Sequence, residues 1–101
     1  MTKYRAIRTE VDGIMFASKK EAFRYKELKF MRDERRISDL ILQPKFPIEV
    51  CGKKICTYIA DFMYHENGNQ IIEDVKGVKT SVYRIKKKLT EAIYNITIKE
   101  V

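Results

Sequence analysis

Apolar residues along the chain alternate with polar ones in short runs and switch to a helical period twice. The runs Tyr4 to Val11 and Ile14 to Phe16 flank Asp12-Gly13, a hairpin signal. The stretch from Ser18 to about Arg35 is rich in Lys, Glu, Leu and Met, which favour helix. Asp39 to Val50 reads as extended chain, with Leu40, Leu42, Phe46 and Ile48 alternating around Pro44 and Pro47; prolines there imply an edge strand or a break. Gly52-Lys53 then turns the chain into the run Ile55 to Tyr64, and Asn67-Gly68 turns it again into Gln70 to Val75, with Gly77 ending that strand. A second helix is expected from Ser81 to about Tyr94, where Val82, Ile85, Leu89, Ala92 and Ile93 form one apolar stripe and Arg84, Lys87, Lys88 and Glu91 lie opposite. Tyr83 and Tyr94 fall on the polar side of that helix, and packing at the stripe's edge is the reading preferred over stacking on a base. Ile96 to Val101 alternates as a final strand would. Without repeats, low-complexity tracts or linkers, residues 1–101 read as a single α+β domain, a mixed sheet carrying helices with an N-terminal hairpin.

The Asn67-Gly68 turn fixes a register. If those two residues form the loop, Glu66 pairs with Asn69, and counting back sets Asp61 opposite Asp74. Directly opposed side chains share a face with Cβ atoms roughly 4.5–5.5 Å apart. Lys76, two residues beyond Asp74, falls on that face as well, whereas Glu73 points to the other. Two facing carboxylates repel, and a divalent cation between them would turn repulsion into attraction, since hard oxygen donors suit Mg²⁺. The bland alternative is a structural ion pair between Asp61 and Lys76. Glu21 is a third candidate acid. Ser18-Lys-Lys-Glu21 fits a capping box, yet Glu21 shares a face with Tyr25 and Leu28, a face expected to meet the sheet.

Charge narrows the partners. The 101 residues carry 21 Lys and Arg against 14 Asp and Glu, a formal net charge of +7, which favours an anionic partner such as nucleic acid. Lys19, Lys20, Lys79, Arg84 and Lys87 are the candidates for holding a phosphate backbone near the acids. No apolar run approaches the roughly 20 residues of a membrane span, and the N-terminus lacks an apolar signal core, so the chain is read as cytoplasmic. Cys51 and Cys56 with the lone His65 make too few ligands for structural zinc, and both cysteines read as free thiols. His65 is given no catalytic role.

An acid on an early helix, an Asp at a strand end and an Asp-x-Lys on the next strand resemble the PD-(D/E)XK nuclease superfamily. The matching residues are Glu21, Asp61 in Tyr58-Ile-Ala-Asp-Phe62, and Asp74-Val-Lys76-Gly77, with Ala60 standing where the name-giving proline would be. The resemblance covers the chain from Ser18 onward and extends to small nuclease-like proteins of phages and prophages, to Holliday junction resolvases and to transposon end-cleaving subunits. It implies a restriction-endonuclease-like core of order α–β–β–β–α–β and Mg²⁺- or Mn²⁺-dependent hydrolysis of DNA phosphodiesters in phage replication or recombination. Asp61, Asp74, the Val75 carbonyl and Glu21 would hold the metal, and Lys76 would position water and neutralise developing charge. No helix-turn-helix or zinc finger is evident, so selectivity for DNA structure, junctions or branches above all, is expected over sequence reading. Paired cuts would need a homodimer, with the N-terminal hairpin around Tyr4, Ile7, Ile14 and Phe16 as candidate surface. The competing reading is a catalytically inactive nucleic-acid-binding module of a phage replication complex.

Overall fold

A computed structural model describes residues 7–77 and 79–101. A hairpin of β1 (Thr9–Val11) and β2 (Ile14–Phe16) precedes helix α1 (Lys19–Asp33). Five strands follow: β3 (Ser38–Leu42), β4 (Lys45–Val50), β5 (Lys53–Ile59), β6 (Phe62–Glu66) and β7 (Asn69–Asp74). Helix α2 (Ser81–Tyr94) and strand β8 (Ile98–Glu100) complete the chain. Tyr4 and the start of the first expected strand lie outside the described residues.

Hairpin loops are cut to two residues by their sequences. Asp12-Gly13, Cys51-Gly52 and Asn67-Gly68 all hold both residues at positive φ, as the tight hairpin turn matching strand twist requires. The middle turn thus sits at Cys51-Gly52, one residue earlier than Gly52-Lys53. The Asn67-Gly68 turn pairs Glu66 with Asn69 and carries the ladder unbroken to Phe62 with Glu73, the register expected from the turn.

Two stretches expected to be single strands are each broken. Gln43 adopts φ +52° and Pro44 has no N–H to offer, so the extended stretch 39–50 divides into β3 and β4. Directly across, the run 55–64 divides at Ala60-Asp61. The break is bridged rather than frayed: Gln43 N–H donates to the Asp61 carbonyl (2.9 Å) and Ala60 N–H to the Pro44 carbonyl (3.1 Å). Residues 38–50 and 53–66 therefore form one long hairpin bent at its middle. Its inner half joins the four-stranded sheet β3-β6-β7-β8, and its outer half is the ribbon β4-β5. Strand β8 lies parallel to β7 and the other neighbours are antiparallel, so the sheet is mixed. Setting aside the hairpins β1-β2 and β4-β5, the order is α1, β3, β6, β7, α2, β8, the α–β–β–β–α–β order expected.

Apolar residues pack on both faces of the sheet, which strand alternation explains. Phe62 and Tyr64 of β6 bury against Ala22, Tyr25 and Leu28 of α1 and against Phe16 and Ile37. Ile72 of β7 and Ile98 of β8 bury on the opposite side with Ile48, Tyr58, Ala60 and Tyr83. Phe16, expected on a dimer surface, belongs to the first of these cores.

Helix α2 has the expected bounds but the other orientation. The apolar stripe faces outward, with Val82 62% exposed, Ile85 60% and Ile93 45%; Ala92 is also exposed and Leu89 half-buried. Tyr83 and Thr90 are the buried residues instead. Long-range partners explain the turn of roughly 100°: Tyr83 donates to Glu100 Oε2 (2.6 Å), Tyr94 donates to the Pro47 carbonyl (2.7 Å) with its ring edge-on to Phe46, and Lys86 reaches the Thr57 carbonyl (3.5 Å). Tyrosines bury large apolar bodies while their hydroxyls keep a partner, so they outcompete the aliphatic stripe for the ribbon. Among the described residues no helix is long and apolar enough to cross a membrane.

Candidate functional site

The bend at Ala60-Asp61 and the end of β7 bring the candidate acids together. Phe62 with Glu73 is the last ladder pair, and Asp61, one residue beyond in the bend, donates its N–H to the Glu73 carbonyl (3.1 Å). Its carboxylate in turn accepts the Val75 N–H at 2.7 Å. Asp74 is fully buried on the same face; its Oδ2 accepts the Tyr58 hydroxyl and its Oδ1 lies 3.2 Å from Lys76 Nζ. That ion pair lacks hydrogen-bond geometry, leaving Asp74 Oδ1 a buried oxygen with no hydrogen bond. The Lys76 ammonium sits 4.4 Å from the centre of the Tyr83 ring, an attractive position for a cation over an aromatic face.

Helix α1 delivers the third acid. Ser18 caps it, accepting the Glu21 N–H at 3.1 Å, so half of the expected capping box is present. The Glu21 carboxyl is nonetheless buried with Ala22, Tyr25 and Leu28 on the face that meets the sheet. Lys20 Nζ reaches the Lys76 carbonyl (3.2 Å), which ties the first turn of α1 to the end of the β7 segment.

Electrostatics show one crowded anionic locus. Burial, then the Asp74 carboxylate beside it and the Glu21 charge, push Asp61 up to about 8, against the opposing pull of the Val75 N–H. Burial, then the Asp74 charge, also raises Glu21, with Lys76 working the other way. Tyr58 is raised by burial and by its bond to Asp74. The Asp61 carboxyl thus keeps its proton at neutral pH beside Asp74.

Among the described residues no three His, Cys, Asp or Glu side chains stand as a ready-made metal cage. The donor set still fits a hard divalent ion: two opposed aspartates, a buried carboxylate oxygen without a hydrogen bond, and Glu21 behind them. The Val75 carbonyl is the remaining expected donor.

A family model described as "Protein of unknown function (DUF1064)" matches residues 1–100. The chain belongs to the DUF1064 family. No curated protein matches it.

The remaining sequence candidates of this DUF1064 chain divide. Lys20 and Lys79 flank the acids, Lys79 pairing with Glu100 (3.0 Å), the carboxylate that also holds Tyr83. Lys19 and Arg84 are exposed, and Lys87 is paired along the helix with Glu91 (3.7 Å). Glu73, read as pointing away, does so: on the α1 face its two oxygens accept from Arg24 at 2.8 and 2.6 Å, and Tyr64 donates to it as well. Both cysteines are free.

Tyr58 and Tyr83 are site residues that sequence reasoning missed. In an unbroken strand Tyr58 and Asp61 point to opposite faces; the bend between them removes that alternation. Nothing local to Tyr58 announces its partner sixteen residues away. Tyr83 was visible only as a tyrosine on the wrong side of a helix.

Proposed function

We propose that this DUF1064 protein is a Mg²⁺- or Mn²⁺-dependent endodeoxyribonuclease that follows the PD-(D/E)XK site plan. One observation carries the reading: half-buried Asp61 lies beside fully buried Asp74, with Lys76 3.2 Å from the Asp74 oxygen that lacks a hydrogen bond. Asp61 and Asp74 are the residues to hold the metal, with Glu21 and the Val75 carbonyl completing the set. Such an ion supplies polarisation of the scissile phosphate and acidification of a bound water.

The chain's own groups do the rest. Val75 N–H holds one Asp61 oxygen and Tyr58 OH holds Asp74 Oδ2, which leaves the other oxygen of each aspartate for the metal. Lys76, held over Tyr83, positions the attacking water and offsets charge developing on the phosphate. Lys20 and Lys79 supply backbone contacts on either side. The expected substrate is branched DNA, with a symmetric dimer making paired cuts in a junction, in the cytoplasm.

The competing binding-module reading draws on the Lys76–Asp74 pair, which on that reading is a structural ion pair. Labelled four-way junction, flap, nicked duplex, linear duplex and single strand, incubated with Mg²⁺, Mn²⁺ or EDTA, decide between them. Metal-dependent cutting that Asp61→Ala abolishes supports the nuclease. Binding without cutting in every metal, across protein concentrations, favours the module.

A further inference from the structure

At the far end of α1 from the acids lies an open cavity of about 630 Å³ between the helix terminus, the start of β3 and the Asn67-Gly68 turn. Arg32, Arg35 and Arg36 line it with Ser38, His65 and Asn67. Asp39 is the one acid in its wall, and His65 Nδ1 lies 3.3 Å from Asp39 Oδ2 without a hydrogen bond. Among the described residues the ion pair of Arg32 is a long contact with Asp33 (3.7 Å), and the Arg36 guanidinium lies 5.7 Å from the centre of the Phe30 ring. Arg35 makes no salt bridge among the described residues. Three planar guanidinium forks with hydroxyl and amide groups beside them match the oxygens of a phosphate diester.

The backbone shows that the arrangement is held at a cost. Helix α1 ends with Arg35 N–H bonded to the Arg32 carbonyl and Arg36 N–H to the Met31 carbonyl, both at 2.9 Å. That terminus normally carries glycine at the left-handed position. Here Arg35 occupies it at φ +61°, a conformation unfavourable for any residue with a Cβ. Glycine would serve the turn better; arginine serves the cavity.

We infer that this arginine-lined cavity is a second nucleic-acid contact, which takes a backbone phosphate of the same DNA whose scissile bond lies at Asp61 and Asp74. The inference deepens the nuclease reading and rests on it for the identity of the polymer. The six residues of β7 run from the turn beside the cavity to Asp74, about 17 Å at roughly 3.3 Å per residue. Phosphates recur every ~3.4 Å of axis along one strand of B-form DNA, so the held phosphate is about five steps from the scissile one.

The test is duplex affinity by fluorescence anisotropy across a NaCl series, in EDTA so that no strand is cut. Arg35→Gly should weaken binding about threefold or more and flatten the salt slope by about one, while its melting temperature equals or exceeds the parent's. Arg35→Glu with Arg36→Glu should flatten the slope by about two. Lys53→Glu with Lys54→Glu removes the same net charge at another turn and should have the smaller effect. Parental affinity and slope in Arg35→Gly overturn the inference, as does an equal loss in the Lys53/Lys54 control. A protein that binds through these arginines but never cuts sinks the nuclease reading alone. One that cuts while Arg35→Gly binds normally sinks only this inference.

Discussion

Replacing Asp61 by Asn should stabilise the protein above neutral pH, and the structure says by how much and why. Burial and the Asp74 carboxylate beside it push Asp61 up to about 8 from an ordinary 3.8. A carboxyl raised in this way contributes stability that is complete below the unfolded value and is lost as pH rises through the folded one. The wild-type protein should therefore weaken steadily from about pH 5 to pH 8. At about 1.4 kcal/mol per pH unit the full gap corresponds to roughly 5–6 kcal/mol. Asp61 is only half-buried and solvent screens part of the effect, so about 2–3 kcal/mol is the realistic size.

Asparagine reproduces the protonated aspartate. Its carbonyl oxygen can accept the Val75 N–H bond, and its neutral amide puts no second charge beside Asp74. The pH slope from this group disappears and the variant gains about 2–3 kcal/mol at pH 8. Urea unfolding followed by far-UV circular dichroism at pH 5, 6, 7 and 8, with reductant for the two free cysteines, measures both. The chain has no tryptophan, so fluorescence would rest on tyrosine alone. Mg²⁺ should do for the parent what Asn does for the variant, adding about 2.7 kcal/mol at a hundred times its dissociation constant, and little to Asp61→Asn. A parent whose stability is flat or rising from pH 5 to 8, or an Asn variant weaker than the parent at pH 8, refutes a raised Asp61.

Three further outcomes are expected. Asp74→Ala should abolish metal-dependent cleavage while duplex affinity in EDTA stays within about threefold, because the cationic contacts lie elsewhere; retained cutting removes Asp74 from the site. Arg24→Ala strands Glu73, which is fully buried, and should cost about 3–5 kcal/mol in urea unfolding. The accompanying Arg24→Met, Glu73→Gln double variant should recover most of that loss, and no recovery would mean the damage is not electrostatic. Ile85→Glu tests the orientation of α2: an outward Ile85 predicts a change within about 0.5 kcal/mol, whereas a core position predicts a loss of 2 kcal/mol or more.

What the sequence disclosed was whatever its neighbours decide. Asn67-Gly68 needs no distant partner to form its turn, and once formed it dictates every pair from Glu66 with Asn69 to Phe62 with Glu73. Ser18 and Thr80 cap their helices through N–H groups three residues on, so the helix starts were legible. The stripe of α2 was equally plain but its orientation was not, because periodicity reports which residues are apolar and not what will cover them. Tyr83 and Tyr94 find Glu100 and the Pro47 carbonyl far along the chain, and those bonds decide the facing. The bend at Gln43-Pro44 and Ala60-Asp61 escaped for a similar reason. Pro44 announced a break in its own strand, while the break in the partner follows only from their pairing.

Glu73 and Asp74 make the functional argument in its sharpest form. They are adjacent on β7, both fully buried, and they point to opposite faces. Glu73 has everything a buried carboxylate requires: a bidentate arginine and a tyrosine hydroxyl, which outweigh the cost of burial and hold it below the usual glutamate range. Asp74 is treated otherwise. Tyr58 satisfies one oxygen, Lys76 approaches the other without bonding it, and two further acids are turned toward it rather than away. A chain able to neutralise one acid so completely had the means to neutralise its neighbour. Leaving Asp74 open, and raising Asp61 and Glu21 beside it, is a loss of stability that packing does not explain and that a bound cation would reverse.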